Sequence, residues 1–273
     1  MNAPAAEEYA ALARVAVRRW NGAAGDSQFD DVAEEVPVAL EYNGISHAVM
    51  LASPTDLEDF ALGFSLSEGI IGDSSELYDC ELVPGPDGIR AALCIASARF
   101  AALKDRRRNL TGRTGCGLCG AESLQHAVRS PPVVSSSACF GARELEAAFR
   151  QMESMQMLQH RTGATHAAAW LGPGSAIEHV REDVGRHNAL DKLLGALAGR
   201  RMDLSSGAVL VTSRASYEMV QKTATLGIGM LAAVSAPTGL AVRLAETAGI
   251  TLAGFVRRQG HVVYAHAHRI TQA

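Results

Sequence analysis

The chain has 273 residues, of which 48% are hydrophobic and 20% are charged, and its formal net charge is −4. This length predicts one large domain or two moderate ones, and the composition is typical of a globular protein rather than a disordered or fibrous one. The negative charge argues against a nucleic-acid-binding protein, so any anion site has to come from a local cluster of basic residues.

Neither a membrane-spanning segment nor a secretory signal is expected. The longest apolar run, residues 226–242, contains Ser235, Pro237 and Thr238, which indicates a buried strand and a buried helix. The first residues lack the basic start and the apolar run of a secretory signal. The five cysteines are an odd number in a chain of this size, which argues against a disulfide framework and predicts a reducing, cytoplasmic environment.

The first part of the chain predicts antiparallel β-structure. We expect a disordered tail over residues 1–13 and a β-rich portion over residues 14–110. Alternating apolar and basic residues predict a strand at 14–20. Asn43-Gly44 between two apolar runs predicts a tight hairpin, and the proline- and glycine-rich stretch 84–88 predicts a second one.

A helix is expected between the two hairpins. Thr55 and Glu58 have the spacing of a capping box, in which each side chain satisfies a free backbone N–H of the first turn. Apolar residues then recur at helical intervals, at Leu57, Phe60, Ala61 and Phe64.

The middle of the chain has a different composition. A basic run at residues 104–108 leads into a glycine-rich stretch, which predicts a mobile loop over 111–130. An α/β core is expected over 131–273. It begins with one amphipathic helix over 143–160, which ends near Gly163 and whose methionines are core filling.

The last third alternates between strands and helices. Strands are predicted at 209–212, 230–234 and 251–255, joined by helices at 216–226 and 238–248. This pattern predicts a parallel sheet, and ligands of such sheets collect at the carboxyl ends of the strands. The groups that follow the strands are Thr212-Ser-Arg214, Ser235-Ala-Pro237 and Phe255-Val-Arg-Arg258.

Cys116 and Cys119 form a single CxxC pair, which three common mechanisms use. A structural zinc site needs four ligands, and the other cysteines stand alone. A zinc deaminase would show H-x-E and P-C-x-x-C, and neither pattern is present. A dithiol redox enzyme stays open, although the expected βαβ context does not precede the pair. The surrounding G-x-G-x-x-G match has no strand before it and is not a dinucleotide fingerprint.

A persulfide carrier is a fourth interpretation of the pair. Such a carrier needs a nucleophilic thiolate on an accessible loop. Four glycines lie within residues 112–120, and Arg113 and the basic run at 104–108 supply charge that favours a thiolate. The alternatives are a solvated face for the basic run and an inert structural role for the two cysteines.

The segment 181–192 is dense in polar groups and precedes a short predicted helix. Its side chains could line a ligand pocket, or they could cap the helix and pair with one another; the candidates are Asp183, Arg186, His187 and Asn188. The sequence leaves both interpretations open.

The chain closely resembles the formate dehydrogenase accessory sulfurtransferase family, FdhD. The resemblance rests on ordered blocks that span roughly residues 111–264. These blocks are Thr111-Gly-Arg-Thr-Gly-Cys-Gly-Leu-Cys-Gly120, Arg181 to Lys192, Thr212 to Lys222, Ser235 to Val242 and Gly249 to Arg257.

The resemblance implies a homodimer with a cytidine-deaminase-like core that has lost its zinc chemistry and holds no structural metal. It implies that sulfur comes from a cysteine desulfurase and goes to the molybdenum bis-guanine-dinucleotide cofactor, a bound substrate, before that cofactor enters formate dehydrogenase. The family's persulfide carrier maps to Cys116, and Cys119 is the candidate resolving thiol. No nucleic acid and no membrane partner is implied.

The family's cofactor-contacting segment also maps onto this chain. It corresponds to Phe255, Val256, Arg257, Arg258, Gln259 and Gly260. Arg214 joins Arg257 and Arg258 as a candidate donor to the cofactor's phosphates. Two alternatives remain: a cofactor chaperone that moves no sulfur, and a CxxC dithiol redox enzyme.

Overall fold

The structure, a computed structural model, describes residues 10–111, 131–257 and 260–272. Within them the chain forms a mixed α/β structure with seven α-helices and four sheets. The strands are β1 Leu12–Asn21, β2 Ala24–Ala33, β3 Val36–Tyr42, β4 Ile45–Ala52, β5 Leu77–Gly85, β6 Gly88–Ile95, β7 Phe140–Gly141, β8 His166–Leu171, β9 Ile177–Asp183, β10 Ala208–Val211, β11 Met230–Ala233, β12 Thr251–Arg257, β13 Gly260–Ala265 and β14 Ile270–Thr271. The helices are α1 Leu57–Ser67, α2 Ser97–Thr111, α3 Ala142–Met155, α4 Met157–Thr162, α5 Arg186–Gly199, α6 Tyr217–Thr225 and α7 Gly239–Ala248.

The two predicted hairpins are confirmed, and they form one four-stranded sheet in the order β4-β3-β6-β5. Asn43 and Gly44 turn the first hairpin with φ values of 46° and 82°, the left-handed conformation that a two-residue turn requires. Along β3, Val36, Val38, Leu40 and Tyr42 point inward and are buried. This inner face packs against α1.

Helix α1 is confirmed, but the capping box predicted for its start is wrong. Asp56, not Thr55, is the N-cap residue, and it has a left-handed φ of 52° with no side-chain cap hydrogen bond. The Thr55 hydroxyl instead lies 3.5 Å from Lys192 Nζ. Tertiary contacts therefore replace the local cap.

The predicted parallel strands are also confirmed. A six-stranded sheet runs in the order β13-β12-β11-β10-β8-β9, and β10, β11 and β12 are parallel neighbours. Strands β8 and β9 were not predicted. Strand β8 pairs antiparallel with β10, and β9 pairs antiparallel with β8 at the edge of the sheet. Much of β8 is alanine, which carries little strand propensity, so its sequence gives a weak strand signal.

Helices cover both faces of this sheet. Apolar residues of α5, α6 and α7 pack on one face, and those of α3 pack on the other. The helix predicted to start near 181–192 is α5, whose 14 residues make it longer than the short helix expected. This arrangement leaves the carboxyl ends of β10, β11 and β12 as the ligand-accessible edge.

The single helix predicted over 143–160 is wrong. The structure has two helices, α3 and α4, separated by Gln156, whose φ of −83° and ψ of 83° are not helical. Gly163 ends α4 in a left-handed conformation, as expected from its position. Met152 is buried as core filling, whereas Met157 is 67% exposed.

The two large sheets are joined through a close crossing of α1 and α5. Gly63 of α1 and Gly195 of α5 face each other, and a Cβ at Gly63 would collide with the backbone carbonyl of Asp191. A Cβ at Gly195 would collide with the backbone carbonyl of Asp59. Backbone atoms cannot yield as a side chain can, so both positions require glycine.

Gly63→Ala is expected to lower the free energy of unfolding by about 3 kcal/mol, because the two helices have to separate. Chemical denaturation of the purified variant measures this loss. Gly199→Ala is the matched control on α5, where a Cβ would make an ordinary 3.6 Å contact with Leu62. Equal stability of the two variants would contradict the proposed role of the crossing.

Among the described helices, none is both long and apolar enough to cross a membrane. The proposed division of the chain stays a prediction. Its parts are residues 1–13, 14–110, 111–130 and 131–273.

Candidate functional site

A cleft of about 770 Å³ opens at the carboxyl edge of the six-stranded sheet. The parallel strands contribute Thr212 after β10, Val234 after β11, and Val256 and Arg257 at the end of β12. Helices α3 and α4 and the loop before β8 form the opposite wall. The wall residues are Glu146, Phe149, Arg150, Met152, Glu153, Gln156, Gln159, His160, Gly163, Ala164, Thr165 and His166.

The cleft carries basic groups on both walls. Arg150 lies on α3 and Arg257 at the end of β12, and both are exposed. His166 also lines the cleft, at the start of β8, and its burial together with the nearby Arg186 lowers the pKa of its imidazole. His166 is therefore neutral at pH 7 and can donate or accept a hydrogen bond. Two carboxylates, Glu146 and Glu153 of α3, line the cleft as well. The arrangement suits a ligand that combines anionic groups with hydrogen-bond donors.

A buried carboxylate shapes the α4 side of the cleft. Glu182 accepts hydrogen bonds from the backbone N–H groups of Leu158 at 2.9 Å and Gln159 at 2.8 Å, and from the Thr165 hydroxyl at 3.1 Å. These are free donors of the first turn of α4, so Glu182 starts the new helix after Gln156. This carboxylate also occupies the helix N-terminus, which is therefore not an anion site.

The end of β12 has an irregular backbone. Phe255 has a left-handed φ of 53°, and the β12–β13 register shifts between Gly254 and Arg257. The Phe255 N–H lies 3.3 Å from the Ser235 carbonyl oxygen, which ties β12 to the loop after β11. The resulting bulge directs Val256 and Arg257 into the cleft.

The residues predicted to contact the cofactor are only partly brought together. Val256 and Arg257 line the cleft, whereas Phe255 is 41% exposed and is not among the lining residues. Gly260 begins β13 with a φ of 146°. Arg214 is exposed in the loop after β10 and does not line the cleft. Arg258 and Gln259 lie outside the described residues.

The predicted sulfur-carrying pair, Cys116 and Cys119, also lies outside the described residues. The three cysteines that are described are unbonded. Burial raises the pKa of Cys80 to about 11, so this thiol stays protonated and is a poor nucleophile at neutral pH. Cys94 and Cys139 are exposed.

A family model matches most of the chain. The model of the FdhD/NarQ family matches residues 33–271. The chain belongs to this family. The match includes the CxxC pair, the polar segment 181–192 and the cleft, and it confirms the resemblance drawn from the separated sequence blocks.

Named relatives agree with the family match. A sulfur carrier protein FdhD from Cupriavidus necator is 65% identical over 255 residues, which cover 93% of this chain and 88% of the relative. One from Variovorax paradoxus is 57% identical over 88% of this chain and 87% of the relative. The crystal structure of a protein named as a formate dehydrogenase accessory protein, from Desulfotalea psychrophila, has the same fold. Its TM-score is 0.75 at 24% identity, covering 96% of this chain and 100% of that one.

In this FdhD/NarQ family member, the central polar segment has a mainly structural role. Asp183 is buried, and its Oδ1 accepts from the Gly185 N–H at 2.7 Å and from Asn188 Nδ2 at 3.0 Å. Asn188 also donates to the Leu51 carbonyl oxygen at 2.7 Å. For Asp183 and Asn188 the capping and pairing interpretation is therefore the right one.

Arg186 and His187 differ from these two residues because each keeps partial exposure. His187 Nε2 lies 2.7 Å from Glu218 Oε2, and burial lowers the pKa of its imidazole. The pair joins the start of α5 to the start of α6.

Three basic residues that line the cleft, Arg150, His160 and His166, were not predicted as site residues. Glu182 was not predicted either; it does not line the cleft, but it accepts hydrogen bonds from Gln159 and Thr165, which do. Arg150 and His160 fall within one predicted amphipathic helix, on which polar residues are expected to face the solvent. His166 and Glu182 lie on β8 and β9, which were not predicted. Only the meeting of α3, α4 and β12 in space reveals them as one site.

We expect the purified protein to hold no stoichiometric zinc. Within the described ranges, no group of three or more His, Cys, Asp or Glu side chains is placed to hold a metal ion, and the sequence has a single CxxC pair. Elemental analysis of protein purified without added metal measures the content. About one zinc ion per chain, in keeping with a single tetrahedral site, would contradict the prediction.

Proposed function

We propose that this chain is a sulfur carrier that supports formate dehydrogenase. It receives persulfide sulfur from a cysteine desulfurase on Cys116 and passes the sulfur to the molybdenum bis-guanine-dinucleotide cofactor, which it binds as a substrate. The observation that carries this proposal is the family match, which runs through both the CxxC pair and the cleft. The name of the Cupriavidus relative, a sulfur carrier protein, supports it.

Loading is a thiol exchange. The Cys116 thiolate attacks the terminal sulfur of the donor's persulfide, a new S–S bond forms, and the donor cysteine leaves as a thiolate. No net electrons are needed, because one S–S bond forms as another breaks. The product is a persulfide on Cys116.

Delivery of the sulfur as sulfide needs two electrons. The two cysteines supply them together: Cys119 attacks Cys116 Sγ of the persulfide, a Cys116–Cys119 disulfide forms, and the terminal sulfur leaves as hydrosulfide to the cofactor. A thiol reductant of the cytoplasm then restores both cysteines. Cys119 is therefore the resolving thiol in this scheme.

The cleft is the proposed place of the cofactor's nucleotide. Phosphate groups favour guanidinium partners, and Arg150 and Arg257 are exposed on opposite walls. Parallel sheets collect such ligands at this edge. The proposal also includes a cytidine-deaminase-like core, a homodimer and a cytoplasmic location, as the family resemblance implies.

Mass spectrometry after incubation with a cysteine desulfurase and cysteine tests the function directly. One additional sulfur atom on the peptide that contains Cys116 is the expected result. Nucleotide binding with no added sulfur would favour the chaperone alternative. Disulfide turnover with no nucleotide binding would favour the dithiol redox alternative.

We expect GDP, a fragment of the cofactor, to bind better than ADP, and the Arg257→Ala/Arg258→Ala variant to lose GDP affinity. Losing one charge-assisted phosphate contact costs about 1.5–3 kcal/mol, or roughly ten- to hundredfold in Kd. Isothermal titration calorimetry measures both effects. Persulfide loading of Cys116 should be unchanged in this variant.

Arg143→Ala is the matched control for this prediction. Arg143 is an exposed arginine on α3 that does not line the cleft, so its loss should leave GDP affinity unchanged. Normal GDP binding by the double variant would show that the nucleotide site lies elsewhere. Equal affinity for GDP and ADP would remove the guanine specificity.

A further inference from the structure

Strands β1 and β2 form a two-stranded antiparallel ribbon separate from the other sheets. The ribbon is held to the body on its β2 side, where Arg161 of α4 forms an ion pair with Asp31 at 2.6 Å. Within the described ranges, β1 pairs only with β2, so its other edge has no strand neighbour. A free edge offers a row of backbone N–H and C=O groups for pairing.

One face of the ribbon carries arginines and aromatic rings in alternation. Arg14, Arg18 and Trp20 of β1 share this face because they lie an even number of residues apart. Phe29 of β2 joins them opposite Ala16. From base to tip the order is therefore Arg14, Phe29, Arg18, Trp20.

These side chains stack on one another and remain exposed. The Arg14 guanidinium lies 5.2 Å from the centre of the Phe29 ring, and that of Arg18 lies 4.9 Å from the centre of the Trp20 ring. Phe29 is 64% exposed and Trp20 is 60% exposed. Arginine and tryptophan are the residue types that dominate binding at protein interfaces.

Positive charge is in excess on this face. Within the ribbon the face carries one carboxylate, Asp31 opposite Arg14, and Asp31 pairs with Arg161 of α4 instead. Among the described residues, no carboxylate lies within ion-pair distance of Arg14 or Arg18, whereas Arg19 on the opposite face pairs with Asp30 at 3.5 Å. The face thus presents two guanidinium groups that form no ion pair with any described carboxylate, four residues apart on one strand, beside exposed apolar rings. Its chemical complement is a segment with carboxylates at the same spacing.

We propose that the free edge of β1 is a docking edge for an extended, acidic segment of a protein partner. The segment adds as a third strand, with carboxylates opposite Arg14 and Arg18 and apolar side chains opposite Ala16 and Trp20. A two-stranded ribbon is only marginally stable alone, and pairing with a third strand stabilises it. The proposal is independent of the sulfur transfer at Cys116, so either can fail without the other.

Trp20 provides a direct readout of docking. The chain has two tryptophans, and Trp170 is only 1% exposed, so quenching of tryptophan fluorescence by added acrylamide reports mainly on Trp20. The probe is a short synthetic peptide with glutamate at every fourth position, leucine midway between, and threonine elsewhere. Saturable protection of Trp20 from the quencher is the expected result, and Trp20→Phe should remove the signal.

Charge reversal tests the pairing. Arg14→Glu/Arg18→Glu is expected to raise the Kd of the glutamate peptide about tenfold or more. A peptide with lysine in place of glutamate should bind this variant more tightly than it binds the original protein. Arg19→Glu, compared with the single variant Arg18→Glu, is the matched control, because it makes the same charge change at the neighbouring position on the other face. Its effect should stay within about twofold. Circular dichroism establishes that each variant is folded.

Several outcomes would overturn the proposal. An absence of saturable protection by the peptide would remove the docking edge. An equal loss of peptide affinity in Arg19→Glu would show that the peptide is attracted by general charge and not by this face. Tighter protection by single-stranded oligodeoxythymidine would assign the face to nucleic acid, and a dimer that dissociates on Arg18→Glu in analytical ultracentrifugation would assign it to a second copy of the chain.

Discussion

Cys116→Ala is expected to abolish both persulfide loading and the activation of formate dehydrogenase. Loading requires one nucleophile, and a methyl group cannot form the S–S bond that holds the transferred sulfur. Among the described cysteines, Cys80 is no substitute, because burial raises its pKa to about 11. The loss should therefore be complete rather than partial.

Cys119→Ala is the matched variant within the same CxxC pair. It should still load sulfur on Cys116 and lose only part of the activation, because a small-molecule thiol can replace the resolving cysteine in a reducing cytoplasm. Persulfide trapping on the purified variants and formate dehydrogenase activity in cells that lack the native accessory protein measure the two steps separately.

The asymmetry between the two variants distinguishes the mechanisms. Loading on Cys119 in the Cys116→Ala variant, with activity preserved, would reverse the two roles. Loss of loading in both variants would mean that the pair acts as one dithiol unit, and the redox alternative would then gain support.

Lys192→Met is expected to lower the free energy of unfolding by about 3–5 kcal/mol. Lys192 Nζ lies 2.7 Å from Asp183 Oδ2, and both side chains are fully buried. Nζ also donates to the Ser53 carbonyl oxygen at 2.9 Å. Methionine preserves the packing of the stem but leaves the Asp183 carboxylate buried without its countercharge, which is the costly state.

Thermal and denaturant unfolding measure this loss, with Arg161→Met as the control. Arg161 forms an ion pair with Asp31 at 2.6 Å, but its side chain is 55% exposed, so its loss should cost no more than about 1 kcal/mol. Lys192→Met/Asp183→Asn should cost less than the sum of its two single changes, because the pair is coupled. A Lys192→Met variant as stable as Arg161→Met would contradict the structural role of the pair.

Several local elements and the family follow from the sequence alone. Asn43-Gly44 specified a hairpin because its backbone favours positive φ, and the strand–helix alternation after residue 208 specified parallel strands. The ordered blocks around Cys116 and Cys119 identified the family, which the family model confirmed. Each signal of this kind depends on residues that are close along the chain.

The roles of residues whose partners are distant in sequence become visible in the folded chain and not before. Thr55 has the spacing of a local cap, yet its hydroxyl lies 3.5 Å from Lys192 Nζ. Glu182 divides a predicted helix by accepting from the N–H groups of Leu158 and Gln159, more than twenty residues earlier. Asp183, read as a ligand or a cap, accepts from the Ser53 N–H at 3.0 Å across the two sheets. A buried polar group needs a hydrogen-bond partner, because burial without one is costly, and the fold determines which groups lie close enough to bond.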